Sequence, residues 1–199
     1  MYDSFESLQP ALNEDFITEL NQIEGIREIH MVKGIPVIYP YQPDGFSDSW
    51  IKGYTDTRPF MSYDDTISDY QENPEKYYGM LKAIDEAEFD YLNETLNNAV
   101  NKQDFLSGKV AVLQYSGFEI PENSLDKPIQ FSFGNNTQEI EIGAISYTDY
   151  YGGSFNIGAN LIVSEEYLNS LVERPYTLSL LIKYEQMYDE NTENEVKSL

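Results

Sequence analysis

The spacing of apolar positions changes twice along this chain. Leu12, Phe16, Leu20 and Ile23 recur at intervals of four, four and three, which is one stripe of a helix over about residues 12–24. Asn13, Glu14 and Asp15 place acceptors and negative charge at its start, and Gly25 follows as a left-handed cap. Residues 26–32 then read as a strand, with Ile29 and Met31 among polar neighbours. Residues 35–60 are broken by Pro36, Pro40, Pro43 and Pro59. There the segments 35–39 and 50–54 read as short strands between turns, and 63–75 reads as an acidic loop. Asn73 and Pro74 open a helical stretch that Gly79 interrupts. Asp85, with Glu88 three residues on, marks a second helix start; Phe89, Leu92, Leu96 and Ala99 continue as its face.

From Gly108 the period becomes two. Residues 109–114, 128–133, 138–147 and 176–184 alternate as strands, and 159–163 reads as another. Gly134, Asn135 and Asn136 predict a hairpin between two of them. Ser164, Glu165 and Glu166 start a short helix carrying Tyr167, Leu168 and Leu171, and residues 189–199 read as an acidic closing helix. An αβ piece thus opens the chain, a strand-and-helix piece closes it, and strand-rich sequence lies between. That order predicts an α+β fold in which the two chain ends pair into one βαβ-type unit and the middle forms a smaller, inserted, β-rich mixed unit. The boundaries are 1–45 with 173–199 for the first unit and 46–172 for the second.

Composition narrows the chemistry. The 199 residues hold 35 acidic and 12 basic side chains, a formal net charge of −23. Such a surface repels phosphates and anionic headgroups, so nucleic acid is excluded as a partner. Cys is absent and His30 is the single histidine, which removes disulfides, thiolate nucleophiles and Cys- or His-cluster metal sites. No segment has the composition of a cofactor site. Gly152 and Gly153 lack the Lys and the following helix of a phosphate-binding loop. No run of about 18 apolar residues is present, and no signal peptide opens the chain.

Three constellations invite a chemical reading. His30 shares a strand face with Glu28, which can orient it as a base, yet no Gly-x-Ser-x-Gly elbow supplies a nucleophile. The acidic turns at 44–48 and at Asp64, Asp65 and Asp69 lack the EF-hand spacing and read as solvated loops. Tyr39, Tyr41, Phe46, Trp50 and Tyr54 form one aromatic group and read as core filler. Tyr147, Tyr150, Tyr151 and Phe155 flank a Gly-rich stretch and read as the candidate partner-contact loop, since exposed loop aromatics often carry recognition.

The order of segments resembles the large extracytoplasmic domain of FtsX-like, MacB-type ABC transporter permeases. The resemblance is carried by FITELNQIEGIREI at 16–29, FLSGKVAVL at 105–113, LDKPIQF at 125–131 with IEIGAI at 140–145, and LIVSEEYL at 161–168 with YTLSLLI at 176–182. A Gly that often precedes an Asp or Lys in the family's paired strands is absent, with Leu125 nearby instead. The family's four membrane helices lie outside these residues, and only residues 1–5 are available for the strand that precedes its opening helix. The resemblance implies a porter-like unit from the chain ends and a non-catalytic domain on the outer face of a bacterial membrane, as the soluble loop of an integral membrane protein. It further implies a cytoplasmic ATPase subunit acting through membrane helices, a dimeric assembly, and a peptide, lipoprotein or cell-wall hydrolase as the outer partner. Two other classes remain open at this point. One is a stand-alone secreted or lipid-anchored module binding carbohydrate or peptide through Tyr and Trp. The other is a hydrolase built on paired carboxylates.

Overall fold

The computed structural model describes residues 14–114, 128–148, 151, 158–187 and 189–199. Its order is α1 (Glu14–Leu20), β1 (Ile26–Val37), α2 (Phe46–Asp56), α3 (Tyr63–Glu72), a 3-10 turn (Pro74–Tyr77), β2 (Gly79–Ile84), α4 (Glu86–Thr95), α5 (Lys102–Leu106), β3 (Val110–Gln114), β4 (Ile129–Phe133), β5 (Asn136–Ser146), β6 (Asn160–Ser164), α6 (Glu165–Leu171), β7 (Tyr176–Tyr184) and α7 (Glu190–Ser198). The fold is α+β. Among the described residues seven strands form a mixed sheet in the order β4-β5-β3-β6-β2-β1-β7. β2 runs parallel to β6 and β3 parallel to β5; the other neighbours are antiparallel.

The sheet is covered by helices on both faces, and the period of two decides which residue goes where. On one face Leu81, Ala83, Ala111, Leu113, Leu161 and Val163 meet Trp50, Ile51 and Tyr54 of α2 and Tyr70 of α3. On the other, Ile84, Val110, Val112 and Ile162 meet Phe89 and Leu92 of α4 and Phe105 of α5. Phe89 and Phe105 stack with ring centroids 4.2 Å apart. β2, β3 and β6 are therefore buried along their whole length, as strands sandwiched between two helical layers must be.

The chain ends meet in the sheet. β1 pairs with β7 from Ile26 opposite Tyr184 to Gly34 opposite Tyr176, and with β2 on its other side. Beyond the strands, Glu185 N–H donates to the Gly25 carbonyl at 2.8 Å and the Thr192 hydroxyl to the Glu24 carbonyl at 3.2 Å. α1 and α7 thus join the sheet at the same end. Gly25 takes φ +95°, and a side chain there would collide with Thr192.

Four elements differ from the sequence expectation. Residues 50–54 lie in α2 rather than in a strand: Phe46, Trp50 and Tyr54 fall four apart on one buried helical face. Residues 63–72 are α3 rather than a loop; Ser62 caps it by accepting from Asp65 N–H, and Asp64 and Asp65 favour its positive end. The stretch after Gly79 is β2 rather than helix, because it is six residues buried on both sides and has no amphipathic period to read. The expected strands at 26–32 and 35–39 are one strand, β1, followed by a bridge from Ile38 to Ser132. Asp85 caps α4 and Ser164 caps α6 as expected, and Gly134, at φ +53°, turns the β4–β5 hairpin.

Candidate functional site

Tyr147 leaves the end of β5 with two thirds of its surface in solvent (67%). Beside it Asn97 and Asn98, from the turn after α4, and Ile142 and Ile145, from β5, line an open groove of about 210 Å³. An exposed ring beside amides and apolar side chains can stack on or hydrogen-bond to a ligand. Tyr151 does not join it. Its ring is 1% exposed, packs with Phe89 and Leu92, and donates its hydroxyl to the Glu88 carbonyl at 3.2 Å. The expected contact role of Tyr151 is therefore corrected: its apolar ring fills the core under α4 and cannot reach a partner. Tyr150 and Phe155, like Gly152 and Gly153, lie outside the described residues.

His30 sits in a denser cluster. It points from β1 toward the start of α4 with its side chain 11% exposed. Nδ1 lies 2.6 Å from Asp85 Oδ2 and Nε2 lies 3.1 Å from Glu28 Oε2, with Glu88 Oε1 3.6 Å away. Lys183 of β7 closes the group, 2.5 Å from the buried Glu88 carboxylate, 3.4 Å from Glu28 and 5.8 Å over the Tyr91 ring. Burial opposes charge on the imidazole, but Asp85, Glu28 and Glu88 together outweigh it and hold His30 above its ordinary value of 6.5. Glu28 is lowered first by His30, then by Arg27 and Lys183. Asp85 is lowered: burial works against its charge, and the Glu88 N–H and His30 overcome that. Both imidazole nitrogens face carboxylates, so no ring lone pair is presented to a substrate as a general base requires. The cluster binds α4 to β1 and β7. The Glu28–His30 pair was legible as alternate residues on one strand; Asp85 and Glu88 were legible as a helix start and Lys183 as part of a strand, but nothing local joined them to His30.

The acidic turns resolve into structural pairs. Asp48 is buried and accepts from Lys52 at 2.7 Å, Tyr41 at 3.2 Å and the Tyr63 hydroxyl. Burial followed by the Asp48 hydrogen bond pushes the Tyr63 hydroxyl well above the usual phenol range. Asp69 accepts from Lys76 and Tyr77. Trp50 stacks on Tyr54 at 5.3 Å and is 2% exposed, so this aromatic group is core and offers no flat platform to a sugar. Among the described residues no group of three or more His, Asp or Glu side chains is arranged to hold a metal ion. In the His30 cluster the Lys183 ammonium already sits between the carboxylates.

Where the chain ends meet, Arg27, Tyr184, Glu185, Met187, Asp189 and Glu193 line an open cleft of about 720 Å³. No helix among the described residues is long and apolar enough to cross a membrane.

No protein-family model matches the chain, and no curated protein matches it in sequence. Solved structures of similar arrangement include the extracellular domain of the ABC-type transporter YknZ from Gram-positive bacteria, 12% identical, covering 96% of this chain and 81% of that one with a TM-score of 0.47. Another is the periplasmic region of MacB from Actinobacillus actinomycetemcomitans, 11% identical, covering 92% of this chain and 71% of that one with a TM-score of 0.44.

Proposed function

We propose that this chain is the non-catalytic extracytoplasmic domain of an ABC transporter permease of the FtsX-like, MacB-type kind. A cytoplasmic ATPase would move it through membrane helices, and it would pass that movement to an exported substrate or an outer partner. The observation that carries the reading is the meeting of the two chain arms. α1 enters β1, and α7 leaves β7, at one end of the sheet, held by Glu185 on Gly25 and Thr192 on Glu24. A domain hung between two membrane helices needs both arms on one side. The order of the sequence segments supports the same reading.

The transmission is mechanical in this proposal. Residues 1–45 and 173–199 are the membrane-near unit and 46–172 the inserted unit that meets the partner, with Tyr147 and its groove as a contact surface. The β1–β7 pair moves as a body, and the His30–Asp85 and Lys183–Glu88 contacts oblige α4 to follow. A net charge of −23 favours a cationic substrate or partner.

The test is the gene on either side. Apolar runs of about 20 residues just before Tyr2 and just after Leu199 are expected. A stop codon after Leu199, with only a signal or lipid-attachment segment before Tyr2, overturns the reading.

A further inference from the structure

Phe60 is 99% exposed and Met61 beside it 37% exposed, at the tip of the turn between α2 and α3. An aromatic ring held fully in water beside a part-exposed methionine is unusual, and this one sits on an ordered turn. Arg58 N–H donates to the Thr55 carbonyl at 2.8 Å, and Met61 N–H donates to the Arg58 carbonyl at 2.9 Å. Pro59 follows Arg58 at the turn position where its fixed φ is favoured. The Arg58 guanidinium lies 3.8 Å over the Tyr54 ring and bonds the Tyr54 carbonyl at 3.1 Å, while Ser62 caps α3. The backbone on both sides of Phe60 is thus ordered before anything covers it, which lowers the entropy lost on binding.

Carboxylates outnumber cations around the tip, where Arg58, lying over the Tyr54 ring, is the one positive side chain between residues 56 and 65. Asp56 at the end of α2 and Asp64 and Asp65 at the start of α3 are exposed, with no ion-pair partner among the described residues. The two cations between residues 46 and 72 are engaged within the hairpin, Lys52 on Asp48 and Arg58 on Tyr54. An apolar centre with carboxylates on either side along the chain is complementary to an apolar stripe flanked by rows of lysine or arginine. A second copy of this chain would bring carboxylates against carboxylates, and anionic headgroups would be repelled in the same way.

We infer that the α2–α3 turn is an interaction tip for a cationic amphipathic helix of a partner protein. Phe60 and Met61 enter the helix's apolar stripe, and Asp56, Asp64 and Asp65 meet its flanking basic rows. The tip's chemistry is independent of the transporter reading.

The probe is a helical peptide of two Leu-Lys-Lys-Leu-Leu-Lys-Leu repeats, titrated against the whole chain by fluorescence anisotropy at low and high salt. Wild type binds, and Phe60→Ala weakens binding by at least about tenfold, as loss of a central aromatic anchor does. Phe60→Leu restores most of the affinity, and the Asp56→Asn/Asp64→Asn/Asp65→Asn variant removes most of the salt dependence. Because the Phe60 side chain touches solvent all round, Phe60→Ala leaves no cavity and keeps the fold. Equal affinity of wild type and Phe60→Ala, or no binding by wild type at low salt, overturns the inference. Phe60-dependent binding to phosphatidylcholine vesicles instead assigns the tip to a membrane. Phe60-dependent dimerisation in sedimentation assigns it to self-association. Either outcome in place of peptide binding overturns the helix-partner inference.

Discussion

Asp85 uses its two carboxylate oxygens on two different elements. Oδ1 accepts from the Glu88 N–H at 2.9 Å and so caps α4, while Oδ2 lies 2.6 Å from His30 Nδ1 on β1. One side chain both starts a helix and ties it to the sheet. Asp85→Ala removes both contacts and is expected to cost about 2 kcal/mol, most of it from the cap. Asp85→Asn keeps the cap and costs less. Urea denaturation orders the two variants, and an NMR titration of His30 shows its pKa falling in both.

The same pair sets a pH dependence. His30 is raised in the folded state, so its stabilisation is fully present below its ordinary 6.5 and is lost as pH rises through the folded value. Asp85 and Glu28 are lowered, so their stabilisation is present above their ordinary values and fades as pH falls through the folded ones. Stability is expected to decline from about pH 6.5 upward in the wild type. His30→Gln flattens that decline, which a series of urea midpoints against pH measures directly.

Tyr147 and Tyr151 are separated by a few residues and by opposite environments. Tyr147→Ala is expected to change stability by less than about 0.5 kcal/mol, as exposed substitutions do. Tyr151→Ala empties a core position and costs about 3–5 kcal/mol. Thermal or urea unfolding of the two variants checks the contrast. Comparable losses would contradict the placement of the two rings.

The part-exposed Lys183 pairs with the buried Glu88 carboxylate across β7 and α4. Lys183→Met leaves the Glu88 carboxylate, 1% exposed, without its ammonium, and is expected to cost about 3–5 kcal/mol. The double change Lys183→Met with Glu88→Leu recovers most of that loss. A double-mutant cycle on unfolding free energies measures the coupling.

Gly79 opens β2 where the backbone passes the Ala159 carbonyl so closely that a Cβ would overlap its oxygen. Gly79→Ala is expected to be destabilising by roughly 2 kcal/mol or more, because backbone on both sides must shift. Gly134→Ala meets no atom at its turn and bears only the strain of its positive φ. Comparing their melting temperatures separates crowding from backbone conformation.

Local signals made much of the fold legible. β4, β5 and β7 announced themselves by alternation, β3 and β6 by short runs rich in Val, Leu and Ile, and Asp85 and Ser164 by oxygens placed three residues ahead of a helix N–H. β2 was hidden because burial on both sides leaves a short apolar run with no period, and that run follows the helix start marked by Asn73 and Pro74. α2 was hidden because Trp50, Ile51 and Tyr54 have strand propensity, and the four-residue spacing from Phe46 decides only once a sheet lies beneath it. α3 buries only Thr66 and Tyr70, too narrow a stripe to stand out among acids. At the candidate sites, His30 and Glu28 were visible as a pair, but Asp85 is 55 residues from His30 and reaches it only through the sheet. Phe60 looked like one more aromatic in proline-broken text, since composition does not tell a buried ring from a bare one.

The union of β1 with β7 also sets an order of events in synthesis. β7 follows β1 with β2 to β6 between them, so closing that ladder means closing a long loop of chain. Such long-range pairing is slow, and it cannot begin while the ribosome still holds the final strand. Until then one long edge of β1 stays open, ready to pair with any other extended chain nearby. The open edge of β1 is therefore an aggregation hazard that the arrival of β7 removes.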